Sequence, residues 1–102
     1  MGREERQELE NRLGVLLGYL LKWDFQPTRR SKNWLPTIRK QRRQFLRVLK
    51  QSPSLQAYVP EAIAEAYESA LNMVVGETSL DYKDFPPVCP YSQEQILDLH
   101  FP

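Results

Sequence analysis

Nucleophilic and general-base catalysis needs a histidine, a thiolate or a perturbed carboxylate pair held beside a partner. This sequence offers few such groups. Its only histidine, His100, sits near the end of the chain, where fraying is the rule. Its only cysteine, Cys89, lies between Val88 and Pro90 with no basic neighbour to favour the thiolate, and reads as a small buried filler. Glu61, Glu65 and Glu68 share one helical face but lack His or Cys partners at ligand spacing, so they read as a solvated face. The glycines at 2, 14, 18 and 76 form no phosphate-cradling loop. The residues therefore assign no catalytic group, no metal ligand and no cofactor, and the expectation is a protein that is not an enzyme.

Positive charge is the one concentrated chemical feature. Between Phe25 and Pro60 there is no Asp or Glu, and that stretch holds nine of the 14 Lys and Arg residues, a local charge of +9. The other five bases and all 13 acids leave the rest of the chain at −8, so the formal net charge of +1 conceals a strong segregation. Arg29, Arg30 and Lys32 beside Trp34 form the candidate contact cluster, and Arg39, Arg42, Arg43 and Arg47 extend it. Three readings fit. The bases can be a solvated face neutralised by acids of neighbouring helices, a surface for a protein partner, or a track for a phosphate backbone. A pI near 7.9 weakens the last, since dedicated nucleic-acid binders are usually more basic.

Helices must carry these residues. Leu9, Leu13, Leu16, Leu20 and Trp23 step by four and three, with Leu17 and Leu21 on the flank, which predicts an amphipathic helix from Glu4 to Trp23. Glu8 and Arg12 make an i, i+4 pair on its polar side. Gly14 and Gly18 would suggest dimerisation in lipid; in water they predict close approach of a neighbouring helix. Pro27 and Arg29-Arg30-Ser31-Lys32 read as a basic loop. Asn33 then caps a second helix reaching about Gln51, with Pro36 in its first turn. Trp34, Ile38, Phe45 and Leu49 lie on one side of it. Gln41 and Arg42 interrupt that stripe, the arginine stem lying along apolar surface with its head in water.

Ser52-Pro53 starts a short helix to Tyr58, and a third long helix follows from Pro60 to about Thr78, burying Ile63, Ala66, Tyr67, Ala70, Leu71 and Val74. A proline-rich loop from Asp84 to Tyr91 leads to Ser92-Gln93-Glu94-Gln95, a capping box opening a last short helix near 93–98. No run alternates with period two. The prediction is one all-α domain over 1–102, a small helical bundle of three long helices plus two short ones.

That length supports one core without staples, and a single cysteine excludes an intrachain disulfide. A reducing cytoplasm is the natural compartment. The residues Met1 to Arg6 are charged where a signal peptide needs an apolar stretch, and the longest uncharged run of the first helix, Leu13 to Leu21, falls far short of a membrane span.

In order and spacing, several strings resemble the bacterial family catalogued as domain of unknown function 29. They are Glu8-Leu9, Leu20-Leu21-Lys22-Trp23, Gln26-Pro27, Arg30-Ser31 with Trp34, Thr37-Ile38, Gln41-Arg42 and Ser52-Pro53-Ser54-Leu55. Tyr67, Glu77-Thr78, Phe85-Pro86, Cys89-Pro90, Glu94-Gln95 and Leu97-Asp98 complete the pattern. The resemblance implies a helical bundle from bacteria, frequently cyanobacteria, with no established activity. It also implies two departures. Family members usually carry a further helical segment ahead of the position of Met1, so part of the first helix's stripe is expected to lack intramolecular cover. Ser79 stands where the family tends to have glycine, so a left-handed helix ending there is expected to be altered or strained. The functional expectation is a non-enzymatic helical interaction protein, acting on a protein partner or on itself. The alternative is a nucleic-acid binder using the basic loop and helix 29–50.

Overall fold

The leucine spacing of the amino-terminal segment does what its period demands. In the computed structural model, which describes residues 3–102, helix α1 runs from Arg3 to Phe25. Met1 and Gly2, the start of the charged amino-terminal stretch, lie outside the described residues. Leu9, Leu13, Leu16, Leu17, Leu20 and Leu21 are all at most 1% exposed. The expected uncovered remainder of the leucine stripe is therefore absent; only its last member, Trp23, is half-buried.

Helix α2 spans Trp34–Gln51 and α3 spans Val59–Glu77. Both pack on α1 while hardly touching one another. The 3-10 segment Pro53–Tyr58 links and contacts both, and the short helix α4, Gln93–Leu97, also touches both. The result is an all-α bundle with no strand among the described residues, in which α1 is the shared partner.

Gly14 and Gly18 both face α3, but only Gly18 is tightly covered, by the Met73 side chain. A methyl group built on Gly14 would lie 3.6 Å from Ser69 Cβ, and one on Gly18 would lie 2.1 Å from Met73 Cε. Each glycine costs about 1 kcal/mol against alanine in a helix. Six buried leucines on the same helix contribute on the order of 10 kcal/mol, at roughly 1.5–3 kcal/mol each. Packing wins by a wide margin.

The helix ends follow the sequence in position but not always in chemistry. Asn33 precedes α2 as predicted, yet its side chain caps nothing. Its carbonyl accepts instead from the Thr37 amide and hydroxyl, and its own amide donates to Ser31 Oγ at 3.2 Å. Likewise the Ser52 hydroxyl makes no cap and donates to the Glu5 carboxylate, tying the start of the 3-10 segment to α1. Pro60 sits in the first turn of α3, where its missing N–H costs nothing. At the far end, Thr78 is extended (φ −134°, ψ 179°) and its hydroxyl donates to Val74 O at 2.7 Å. The helix thus ends without a left-handed residue, and Ser79 carries no strain there. The Ser92 capping box is present as predicted: Ser92 Oγ accepts from Gln95 N at 3.1 Å, and Gln95 Oε1 accepts from Ser92 N at 2.9 Å.

A further 3-10 turn, Tyr82–Asp84, is capped by Asp81 and carries the chain into the proline-rich loop. That loop is anchored by two tyrosines. The Tyr67 hydroxyl donates to Pro86 O at 2.7 Å, while the Tyr91 hydroxyl lies 2.6 Å from an Asp24 carboxylate oxygen and 2.9 Å from Leu20 O. Burial pushes the ionisation of Tyr67, Tyr91 and Cys89 upward, and the Asp24 carboxylate adds to the effect on Tyr91.

Two predictions follow from this packing. Gly14→Ala meets only ordinary van der Waals contact, so it should raise stability in urea titration by about 1 kcal/mol. Gly18→Ala must displace Met73 and should gain less. Because the unfolded chain releases the protons of Cys89, Tyr67 and Tyr91 at their ordinary values of 9.0 and 10.0, below the folded values, unfolding releases protons in alkali. Stability should therefore hold below about pH 9 and fall steadily above it in thermal melts across that range.

Candidate functional site

Basic residues at i, i+4, i+8 and i+11 fall close together on a helix. Arg39, Arg43, Arg47 and Lys50 of α2 lie within an arc of about 80° at 100° per residue, and all four are exposed. The stripe runs about 16 Å along the axis, at 1.5 Å per residue. Lys40 is exposed beside it; before α2, Arg29 ends a 3-10 turn, Pro27–Arg29, where a plain loop was expected, and Arg30 and Lys32 follow it, all three exposed. The structure thus brings five of the eight predicted site positions, Arg30, Lys32, Arg39, Arg43 and Arg47, to one flank, with Arg29 exposed on the preceding turn.

Arg42 leaves the set. It is 1% exposed, and its Nε donates to Ile96 O at 2.8 Å, gripping the last turn of α4. Its Nη1 and Nη2 have no partner among the described residues. The sequence reading placed its head in water; α4 and the segment behind it close over that position instead. Desolvation lowers its pKa, partly opposed by the Asp98 carboxylate.

Trp34 also changes role. Rather than standing among the loop cations, its half-buried ring faces Lys22 Nζ at 6.0 Å. Lys22 is itself only 6% exposed, lies 4.6 Å from the Tyr19 ring centroid and pairs with Glu77 at the end of α3. The aromatic ring beside the loop cations is Trp23. The Arg30 guanidinium carbon stands 4.1 Å from the Trp23 ring centroid, and Arg30 Nε donates to Trp23 O at 3.0 Å. This side chain therefore stacks on the ring and caps the carboxyl end of α1 at once.

Next to that stack lies an open cleft of about 500 Å³, lined by Trp23, Leu35 and Pro36 together with Arg30, Lys32 and Arg39. Sequence reasoning assigned Trp23 to the core and overlooked Leu35 and Pro36 as a surface. A signal was available: Trp23 is the last member of the stripe, about one turn before a proline break at Pro27, where neighbouring cover runs out.

The ion pairs bear directly on whether acids of neighbouring helices neutralise the basic flank. Among the described residues the salt bridges are Glu8–Arg12 and Lys22–Glu77. None involves Arg29, Arg30, Lys32, Arg39, Lys40, Arg43, Arg47 or Lys50. The acids are occupied elsewhere: Glu5 accepts from Ser52, Glu10 from Tyr58, and Asp24 from Tyr91. Glu61, Glu65 and Glu68 are exposed on α3, the helix that barely meets α2.

The remaining chemical groups are isolated. Among the described residues, no three His, Cys, Asp or Glu side chains converge in a group able to hold a metal ion. Cys89 is half-buried with Sγ 3.7 Å from Tyr91 O, and burial pushes its thiol up, away from the reactive thiolate. His100 is exposed. No helix among the described residues is long and apolar enough to cross a membrane.

The family model described as "domain of unknown function DUF29" matches residues 1–102, and the chain belongs to that family. No curated protein and no solved structure matches it.

Removing one charged head should separate packing from charge at Arg42. Arg42→Met keeps the stem's volume and deletes a buried cation with two unpaired nitrogens, so its urea stability should stay within about 1 kcal/mol of the parent or exceed it. Arg42→Ala should lose about 2–4 kcal/mol, through the cavity it leaves.

Proposed function

We propose that this DUF29-family chain is a non-enzymatic interaction protein that docks an acidic protein surface on the basic flank of α2 and the cleft beside it. The observation that carries this reading is the set of exposed bases at 29–50 that lack any ion pair among the described residues, while the acids of α1 and α3 are engaged or lie elsewhere. At physiological salt the Debye length is about 8 Å, shorter than the molecule's smallest extent of 20 Å. The basic flank therefore acts locally, despite the near-neutral total. Such a surface suits short-range docking to a matching patch better than long-range capture.

Nucleic acid is the second reading, and it draws on the same cations. Base stacking would need a free aromatic face. One face of Trp23 already carries Arg30, and Trp34 is turned to Lys22. This favours the protein partner. A bacterial cytoplasm is the setting we assign, on the single cysteine and the family resemblance.

The test compares a labelled polyglutamate with a labelled single-stranded oligonucleotide of equal length, at about 50 mM salt where charge contacts are strongest. The parent should bind polyglutamate, and Arg39→Glu with Arg43→Glu and Arg47→Glu should weaken it at least about tenfold, from several surface pairs of 0.2–1 kcal/mol each. Undetectable polyglutamate binding, or tighter binding of the oligonucleotide, would remove the proposal. Sedimentation of the parent alone asks whether its own acidic flank serves as the partner surface.

A further inference from the structure

The exposed stripe on α2 is flat and wholly charged, but the cleft at its head is different in kind. Its lining combines apolar surface, from Trp23, Leu35 and Pro36, with the cations Arg30, Lys32 and Arg39 at its rim and the hydroxyl of Ser31. No acid occurs anywhere between positions 25 and 60, and the nearest acid before them, Asp24, is held by the Tyr91 hydroxyl. None of the rim cations makes an ion pair among the described residues.

Arg30 is also pre-oriented. Its guanidinium carbon lies 4.1 Å from the Trp23 ring centroid, and Nε donates to Trp23 O at 3.0 Å, so two contacts hold the head against the end of α1. With Nε used, both terminal nitrogens remain unpartnered among the described residues and present the two-pronged edge that a carboxylate accepts. A guanidinium already held in place loses less freedom on binding than a free one.

Resting on the docking reading above, we infer that this cleft is its specificity pocket. It takes a linear acidic segment of a partner protein in which an aliphatic or aromatic side chain lies next to carboxylates. The apolar side chain enters between Leu35, Pro36 and the Trp23 edge. One flanking carboxylate meets the fork of Arg30, and others meet Lys32 and Arg39. The stripe of Arg43, Arg47 and Lys50 then supplies charge without selecting sequence.

Three labelled peptides of equal length and charge pattern separate the parts: glutamates interspersed with leucine and phenylalanine, glutamates interspersed with glycine, and glutamines interspersed with leucine and phenylalanine. Binding is read by anisotropy and by indole emission in Trp34→Phe protein, where Trp23 is the only reporter. The acidic–apolar peptide should bind about tenfold or more tighter than the acidic–glycine peptide, the effect of one apolar side chain leaving water. It should shift Trp23 emission to the blue, and Arg30→Gln should abolish most of that advantage while circular dichroism stays unchanged. Equal binding of the two acidic peptides, both weakened by Arg43→Glu with Arg47→Glu and neither by Arg30→Gln, would overturn the pocket and leave the docking reading standing. Failure of all three peptides would overturn both. An oligonucleotide that shifts Trp23 emission at lower concentration than the acidic–apolar peptide would also overturn the inference.

Discussion

Everything in this fold hangs on α1. Its six buried leucines span an arc of about 140° at 100° per residue, and α2 and α3 each pack on that surface while hardly meeting one another. All the helices contribute to one core, but the packing between long helices runs through α1, with the 3-10 segment 53–58 and α4 spanning between the other two. Gly18 leaves room for the Met73 side chain of α3, and the buried Lys22 ties the end of α1 to Glu77 at the end of α3.

This arrangement also explains how the charge segregation survives folding. Acids on α3 and bases on α2 would neutralise each other if those helices lay side by side. With α1 between them they do not, so the basic flank reaches solvent without internal partners. Arg42 is the exception that marks the boundary. It points inward, one bond to Ile96 O holds α4 in place, and two of its nitrogens go unpaired. A buried cation of this kind is poor evidence of stability, since apolar replacements of buried ions are often neutral or better.

Much of this was legible in the sequence. Element order, the helix starts at Asn33 and Ser92, and the close approach at Gly18 all follow from local rules that need no knowledge of the partner element. What was not legible depended on segments distant in the chain. Periodicity shows that Arg42 sits near the apolar side of α2, but not that α4, more than fifty residues later, closes over it. Capping rules place Asn33 and Ser52 correctly, but not the competing acceptor, Glu5, that takes the Ser52 hydroxyl. The cleft required Trp23 and Arg30 to meet across a proline turn. Their spacing of seven residues spans a helix end and a loop, and no simple period describes that.

The claim that α1 is the main partner of both other long helices is most directly tested by native-state hydrogen exchange, read residue by residue. The amides from Leu9 to Leu21 should exchange only through global unfolding, and α2 and α3 should each show smaller, separate openings below that limit. Equal or greater protection in α2 or α3, with α1 opening on its own, would contradict the account.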